Sequence, residues 1–351
     1  MPASSRSLTY RETGVDIAAK EEILAGVRAR IRATHREGTL GTGGEFGGLF
    51  RLTGYRDPVI VSSIDGVGTK TRVALWAGRP ARAGADIVAH GANDVVCQGA
   101  APLFMLDYVA SSSLDPAVVS GAIEGIAEAC AAQGITLLGG ETAEMPGVYA
   151  RGELDIVGCT VGAVERGEII TGAEIRPGDA VVGLASDGLH TNGYTLARAV
   201  LLPRGPRDAV RRALARKLPG LGETVEEALL RPHRPYARSV LGLRRRVALH
   251  GIAHVTGGGL PGNLVRVLPD GCHAVLTRSR WPVPPVFTVI QRRGRIADEE
   301  MFRTFNMGLG LLLVVPRGSS AAAVRLLESA GERAWAVGEI VSGTRGVEIR
   351  A

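Results

Sequence analysis

The sequence predicts a mixed α/β (α+β) chain of two domains, and three observations carry that prediction. At 351 residues it exceeds the usual size of a single core. Short β-branched runs, at 59–61, 135–138, 180–185 and 309–315, alternate in both halves with longer segments of helical period. Between the halves lies a polar, turn-rich stretch, Glu165-Arg166-Gly167-Glu168 followed by Arg176-Pro177-Gly178-Asp179. It sets the expected junction, giving domains 1–170 and 171–351. Hydrophobic residues make up 45% and charged residues 22%, ordinary for a folded chain. The formal charge of +6 admits anionic partners, but aromatic residues are only 4% and no basic-aromatic motif occurs. The charge therefore does not indicate nucleic acid by itself; a phosphorylated small molecule fits as well, and no nucleic-acid partner is expected. The longest apolar run, 309–315, is too short to span a bilayer, and Met1 to Arg6 lack the apolar core of a signal peptide. A cytoplasmic protein with no membrane partner is expected. Cys97, Cys130, Cys159 and Cys272 are widely spaced in apolar stretches and read as buried, reduced, structural thiols.

Taken in order, residues 18–36 carry helical periodicity through Ile23, Leu24, Val27 and Ile31, and Gly38 ends it. Gly41-Thr42-Gly43-Gly44-Glu45-Phe46-Gly47-Gly48 is too rich in glycine for helix or interior strand. It reads as a connector, or as a lid whose amides face phosphates. The run 59–61 is a strand that delivers Asp65 into Gly66-Val67-Gly68-Thr69-Lys70. A carboxylate there suits Mg²⁺, the glycines let backbone N–H groups approach phosphate oxygens, and Lys70 offers a point charge. Lys20, Lys70 and Lys217 are the only lysines in an arginine-rich chain. The glycine spacing is not that of a nucleotide-triphosphatase P-loop, and no helix signature follows directly.

A helix over 83–98 carries Asp86, His90, Asn93 and Asp94 at i, i+4, i+7 and i+8, one polar stripe on an apolar segment. Buried carboxylates need partners, so Asp94 and Asp86 are candidate metal ligands; His90 is expected as a hydrogen-bonded packing residue. A strand at 102–110, interrupted by Asp107, precedes a helix capped by Asp115 and Pro116 and stopped by Gly134. The strand 135–138 ends in Gly139-Gly140-Glu141-Thr142-Ala143-Glu144-Met145-Pro146-Gly147. Asp65, Asp94 and Glu141 then make a set of hard oxygen donors for a divalent cation, and Glu144 is expected to pair with an arginine. A strand at 154–164 closes this half.

The second half opens with a strand at 180–185, then Ser186-Asp187-Gly188-Leu189-His190-Thr191-Asn192-Gly193, then a helix at 194–202. A helix N-terminus is a natural anion site, and His190 is a base, an acid, a phosphate contact or a local cap. The basic residues of 204–217 and Arg244-Arg245-Arg246 read as solvated helix faces. His254-Val255-Thr256-Gly257-Gly258-Gly259 feeds a helix at 260–267, and a strand at 309–315, a helix at 320–331 and strands within 334–349 complete the chain.

These segments, with Gly14-Val15-Asp16-Ile17, Asn93-Asp94 and Arg303-Thr304-Phe305-Asn306-Met307-Gly308, occur in an order that resembles the phosphoribosylformylglycinamidine cyclo-ligase (aminoimidazole ribonucleotide synthetase) family from about Leu8 onward. The resemblance implies an ATP-binding fold of that superfamily and a homodimer whose N-terminal sheets form a barrel across the two-fold axis. It implies ring closure of formylglycinamidine ribonucleotide to aminoimidazole ribonucleotide, with MgATP giving ADP and phosphate. It places Mg²⁺ on Asp65, Asp94 and Glu141, and the nucleotide against Gly43, Gly44, Phe46, Gly47, Gly66, Gly68, Thr69 and Lys70. The ribonucleotide falls to His190, Thr191, Asn192 and the turn Thr256, Gly257, Gly258 and Gly259, with Lys70, His190 and Asp65 carrying catalysis. The chain departs from the family pattern at Thr42 and Glu45, where glycines are usual, and at Arg28, where lysine is usual. Three superfamily relatives fit less well. Selenophosphate synthetase needs a reactive cysteine near the glycine loop, and none precedes Cys97; the hydrogenase-maturation member needs a C-terminal cysteine, and this sequence ends Ile349-Arg350-Ala351. Thiamine-phosphate kinase is not expected to carry the segment 141–147. The remaining alternatives are a paralogue phosphorylating another amide or carbonyl acceptor and a non-catalytic anion-binding protein.

Overall fold

Two sheets, one in each half, frame a computed structural model that describes residues 7–41 and 45–351. In the first half, α1 (Ile17–Arg32) starts where the Asp16 side chain accepts the N–H of Ala19. The short strands β1 (Thr39–Leu40) and β2 (Leu49–Phe50) pair around the glycine-rich loop; Thr42, Gly43 and Gly44 lie outside the described residues. The strands β3 (Pro58–Gly66), β4 (Ala101–Ser111), β5 (Thr136–Glu144) and β6 (Leu154–Glu165) form a sheet in the order β3-β6-β4-β5. One face is covered by α3 (Pro80–Val96) and α4 (Pro116–Gln133), the latter capped by Asp115 and terminated at Gly134 as its sequence dictates. The helices approach closely because glycines permit it. A Cβ on Gly84 of α3 would sit 2.1 Å from the Ala122 carbonyl oxygen of α4, and one on Gly91 would sit 2.1 Å from Thr160 of β6. The opposite face leaves Ile60, Ile64 and Leu106 exposed.

Directly after Gly68 and Thr69 comes α2 (Lys70–Ala77), which sequence reading did not anticipate. Its residues are good helix formers, but Thr69 makes no side-chain cap bond, so the usual start signal is missing.

The second half is built on a six-stranded sheet in the order β12-β9-β11-β7-β10-β8. Its strands are β7 (Ala180–Ala185), β8 (Gly251–His254), β9 (Cys272–Thr277), β10 (Leu309–Val315), β11 (Ala334–Ser342) and β12 (Gly346–Arg350). Around it lie α5 (Tyr194–Leu201), α6 (Arg207–Leu214), α7 (Val225–Leu229), α8 (Ala237–Arg244), α9 (Gly259–Leu264), α10 (Pro285–Gly294), α11 (Asp298–Thr304) and α12 (Ser320–Ser329). The helix expected over 260–267 stops at Leu264 and tightens into a 3₁₀ turn ending at Val267. The central strands β7 and β10 are buried along their whole length, which explains their unbroken apolar sequence.

The halves meet along α3, and its polar stripe is the joint. Lys70 Nζ sits 2.6 Å from Asp86 Oδ2, both side chains fully enclosed. Lys70 also donates to the Arg231 carbonyl at 2.8 Å, and the His233 N–H donates to Asp86 Oδ1 at 2.7 Å. Two turns on, Asn93 Nδ2 donates to the Arg234 carbonyl at 2.9 Å while its Oδ1 accepts from the Tyr236 N–H at 2.8 Å. The segment 231–236 therefore runs along α3 with its backbone bonded to side chains rather than to a strand. Part of the basic surface joins the same seam, contrary to the expectation of purely solvated faces. Arg207 donates to the Leu75 carbonyl at 2.7 Å and Arg211 to that of Trp76 at 2.9 Å. Arg244 bonds the Gly99 carbonyl and the Glu168 carboxylate, whereas Arg245 and Arg246 are exposed.

Lys70→Met leaves Asp86 buried without its cation. Removing one partner of a buried pair costs about 3–5 kcal/mol, so the denaturant midpoint of this variant should fall steeply. An unchanged midpoint would show that the pair does not hold the seam.

Candidate active site

Asp65, at the C-terminal end of β3, is half exposed and caps its own turn by accepting the Gly66 N–H at 2.8 Å. From α3, His90 Nε2 approaches Asp65 Oδ2 at 3.0 Å and Asp94 Oδ2 at 3.6 Å. Asp94 Oδ2 also accepts from Ser63 at 2.8 Å, and its Oδ1 lies 2.8 Å from His254 Nδ1 at the end of β8. Two carboxylates thus converge on one opening, bridged by an imidazole. Contact with His90 holds the Asp65 carboxyl below its ordinary value. Burial pushes the other way for Asp94, but its bonds to His254 and Ser63 and the charge of His90 keep it lowered. Burial lowers His90, and the two carboxylates outweigh it, so its value is raised. His90 is the hydrogen-bonded histidine expected, with Nδ1 2.9 Å from Thr191 Oγ1, but it also links the two acids.

Other residues are placed differently from expectation. Lys70 does not face the opening beside Asp65: it is enclosed and spent on the Asp86 carboxylate and the Arg231 carbonyl. Asp86, similarly spent, is not a metal ligand. His190 adopts φ 60° and its ring is fully buried, stacked on His233 at 4.1 Å. A group so enclosed does not touch a substrate in the cleft. Glu141 stands apart from the other acids. In the sheet, Asp65 is opposite Gly158, Gly158 opposite Asp107, and Asp107 opposite Gly140, so three interstrand spacings, about 14 Å, separate the two acids. Glu141 instead pairs with Lys20 at 2.6 Å. The described part of the glycine loop lies on that same β5 edge, with Gly48 against Leu138 and Phe46 and Gly47 exposed. Glu144 meets no arginine among the described residues; it accepts the N–H groups of Asp16 at 2.7 Å and Leu114 at 2.9 Å.

The remaining candidates do gather beside the acids. Gly68 takes a left-handed φ of 67°, and it and Thr69 are exposed ahead of α2. Thr69 Oγ1 is 3.2 Å from Thr195 Oγ1 of α5, so this turn faces the loop carrying Thr191 and Asn192. Asn192 borders Gly257. The turn from Thr256 to Gly259 is fastened by Asn263, whose Nδ2 donates to the carbonyls of Thr256, Gly257 and Gly259. Asn306 holds the other loop, accepting from Ser186 at 2.9 Å and donating to the Gly188 carbonyl at 2.8 Å. The four cysteines are free and buried or half-buried, and burial raises the thiols of Cys97, Cys130 and Cys272.

Residues 47–164 match the family described as AIR synthase related protein, N-terminal domain, and residues 176–350 match its C-terminal domain. The chain belongs to this family. Phosphoribosylformylglycinamidine cyclo-ligase of Anaeromyxobacter dehalogenans is 49% identical over 97% of both chains. The protein of the same name from Myxococcus xanthus is 48% identical over 95% of this chain and 96% of its own. In three dimensions the chain resembles thiamine-monophosphate kinase from Stenotrophomonas maltophilia (TM-score 0.68, 20% identity, 92% of this chain and 95% of the other). It also resembles the hydrogenase maturation protein HypE (TM-score 0.67, 19% identity, 96% and 93%). These two proteins thus share its fold. No helix among the described residues is long and apolar enough to cross a membrane.

Sequence reading missed His233, which carries no motif and sits in an ordinary-looking basic stretch. Its neighbours explain its importance: Nε2 is 3.0 Å from His254 Nε2, and Nδ1 is 3.4 Å from Thr191 Oγ1. Burial holds His190 and His233 well below the ordinary histidine value and lowers His254 against the pull of Asp94. Three neutral imidazoles therefore stabilise the fold above the unfolded value of about 6.5, and that contribution drains away as pH falls. His90 acts in the opposite sense, contributing below about 6.5 and losing it as pH rises through its raised value. Three outweigh one, so in chelator-treated protein Tm should be lower at pH 5.5 than at pH 7.5, and His233→Asn should shrink the difference. A Tm that is flat or rises on acidification would contradict the neutral assignment.

Proposed function

We propose that this protein closes the imidazole ring of formylglycinamidine ribonucleotide, consuming ATP and releasing ADP, phosphate and aminoimidazole ribonucleotide. Near-half identity over full length to cyclo-ligases carries the reading, and the paired acids at the end of β3 supply its chemistry. An amide oxygen is a poor leaving group. Transfer of the γ-phosphoryl group to the formyl oxygen makes it one; the amidine nitrogen then attacks that carbon and phosphate departs. Asp65 and Asp94 offer hard oxygens that fit Mg²⁺, which would neutralise phosphoryl charge. Gly68 and Thr69 present backbone amides at the start of α2, where phosphate is favoured, and Gly66 lets the chain turn toward them. Thr191, Asn192 and the turn of Thr256, Gly257, Gly258 and Gly259 border the same opening and suit the ribonucleotide. His190 serves as a positioning residue: its ring stacks on His233 beneath Thr191, and His254 orients Asp94.

The homodimer belongs to the same proposal. The exposed face with Ile60, Ile64 and Leu106 is a surface that a second copy would cover, closing two sheets into a barrel. Glu141, Phe46 and Gly47 lie along the β5 edge, about three interstrand spacings from Asp65, and in this reading they reach its nucleotide from the partner subunit. A cytoplasmic location suits a substrate of central metabolism.

The direct test mixes purified protein, MgATP and formylglycinamidine ribonucleotide, and follows ADP and aminoimidazole product together. Equal yields are expected; ADP without the aminoimidazole would indicate a different acceptor. Asp65→Asn should lower turnover by at least about 10²-fold, the scale of losing one charge-stabilising group, and near-normal turnover in folded protein would remove Asp65 from the site. Asp65→Asn and Glu141→Gln chains, each inactive alone, should regain activity when co-expressed, because one of the mixed dimer's two sites is intact. Failure of complementation in verified mixed dimers would place both residues in one chain's site.

A further inference from the structure

Behind the paired acids, four imidazoles pack together at the seam. His90 comes from α3, His190 from the loop after β7, His233 from the segment bonded to α3, and His254 from the end of β8. His90 stands 5.1 Å from His254 and 5.3 Å from His233, and His233 stands 5.1 Å from His254, between ring centroids. We infer that His190, His233 and His254 form a binding site for a transition-metal dication of the Zn²⁺ class, separate from the carboxylate pair that suits Mg²⁺.

Three features carry the inference. First, one ring nitrogen from each of these histidines lies within 4.8 Å of the others, a spread that an ion with bonds of about 2.0–2.1 Å to imidazole closes with small side-chain movements. Second, His233 Nε2 and His254 Nε2 are hydrogen-bonded only to each other, a contact that an ion between them would replace. His254 commits Nδ1 to Asp94 at 2.8 Å and turns Nε2 toward His233, the carboxylate–histidine arrangement that orients metal ligands. His233 keeps only a long 3.4 Å contact from Nδ1 to Thr191 and likewise turns Nε2 inward. His190 Nδ1 is buried with no hydrogen-bond partner, and its Nε2 receives only the Arg234 N–H at 3.5 Å. Third, all three side chains are at least nine-tenths buried, so an ion there would be shielded from water. Imidazole donors in a dry pocket select Zn²⁺, Co²⁺ or Ni²⁺ over Mg²⁺, which demands oxygen ligands. The ion would tie the β7 loop and β8 to the segment that reads α3, bracing the joint between the halves. This inference does not depend on the proposed reaction.

The test uses full-length protein stripped with chelator, then dialysed against Zn²⁺ or Co²⁺ in the presence of millimolar Mg²⁺. About one Zn²⁺ per chain should survive dialysis, and the Co²⁺ form should show the intense visible bands of four-coordinate geometry, three imidazoles and one further ligand. His233→Gln should weaken retention by at least about 10²-fold, beyond what loss of an outer-shell partner costs, whereas Asp65→Asn should keep the metal. His233→Cys, which restores a ligand, should recover binding. Weak six-coordinate Co²⁺ bands, or a metal lost with Asp65→Asn and kept with His233→Gln, would overturn the assignment. Should the His233 variants fail to fold, the wild-type melt decides: with millimolar Mg²⁺ already present, Zn²⁺ must raise Tm further, and no further rise would sink the idea.

Discussion

The structure hangs on an ion pair that has no contact with solvent. Lys70 and Asp86 neutralise each other in the interior, and neither would be tolerated there alone. Burial lowers the lysine and raises the aspartate, while their mutual attraction opposes both shifts. The pair is also unfinished within its own half: the lysine needs the Arg231 carbonyl and the aspartate needs the His233 N–H. Desolvation thereby becomes a docking device. The second half must lie against α3 for the first half's charges to be satisfied, and Asn93 repeats the arrangement two turns later.

The same docking assembles the chemistry. Once 231–236 lies on α3, His233 arrives beside His190 and His254, and His254 reaches Asp94. Asp94 is thus oriented by Ser63 from its own half and by His254 from the other. The Asp65 carboxylate, at a strand end, remains half exposed and available. Stability and function share a helix face: Asp86 and Asn93 hold the seam, while His90 and Asp94, the intervening members of the stripe, serve the opening.

Much of this was legible in the residues themselves. The stripe of Asp86, His90, Asn93 and Asp94 announced a buried polar surface, and Asp65 at a strand end announced a site. The alternation of strands and helices, the Asp115 cap and the Gly134 stop were written locally, and the structure follows them. Partnerships across long separations were not. Lys70 looked like a phosphate contact because lysine beside glycine usually is, whereas its real partners lie 16 residues away in Asp86 and 161 residues away at Arg231. Glu141 looked equivalent to Asp65 because each was read as following a strand, whereas β5 runs on to Glu144 and the strand order puts β6 and β4 between the two acids. His233 was invisible because its role depends on two other histidines that the fold alone brings near.

One consequence concerns recombination between superfamily members. Because side chains of one half read the backbone of the other, 80–96 and 231–236 form a matched pair spread across the junction. A chimaera that swaps halves near residue 170 would mate a foreign helix to this docking strip. Any donor lacking the lysine or the aspartate at matching heights would strand a charge in the interior, and one lacking the asparagine would leave backbone groups unpaired there, so viable hybrids must carry both segments from the same parent.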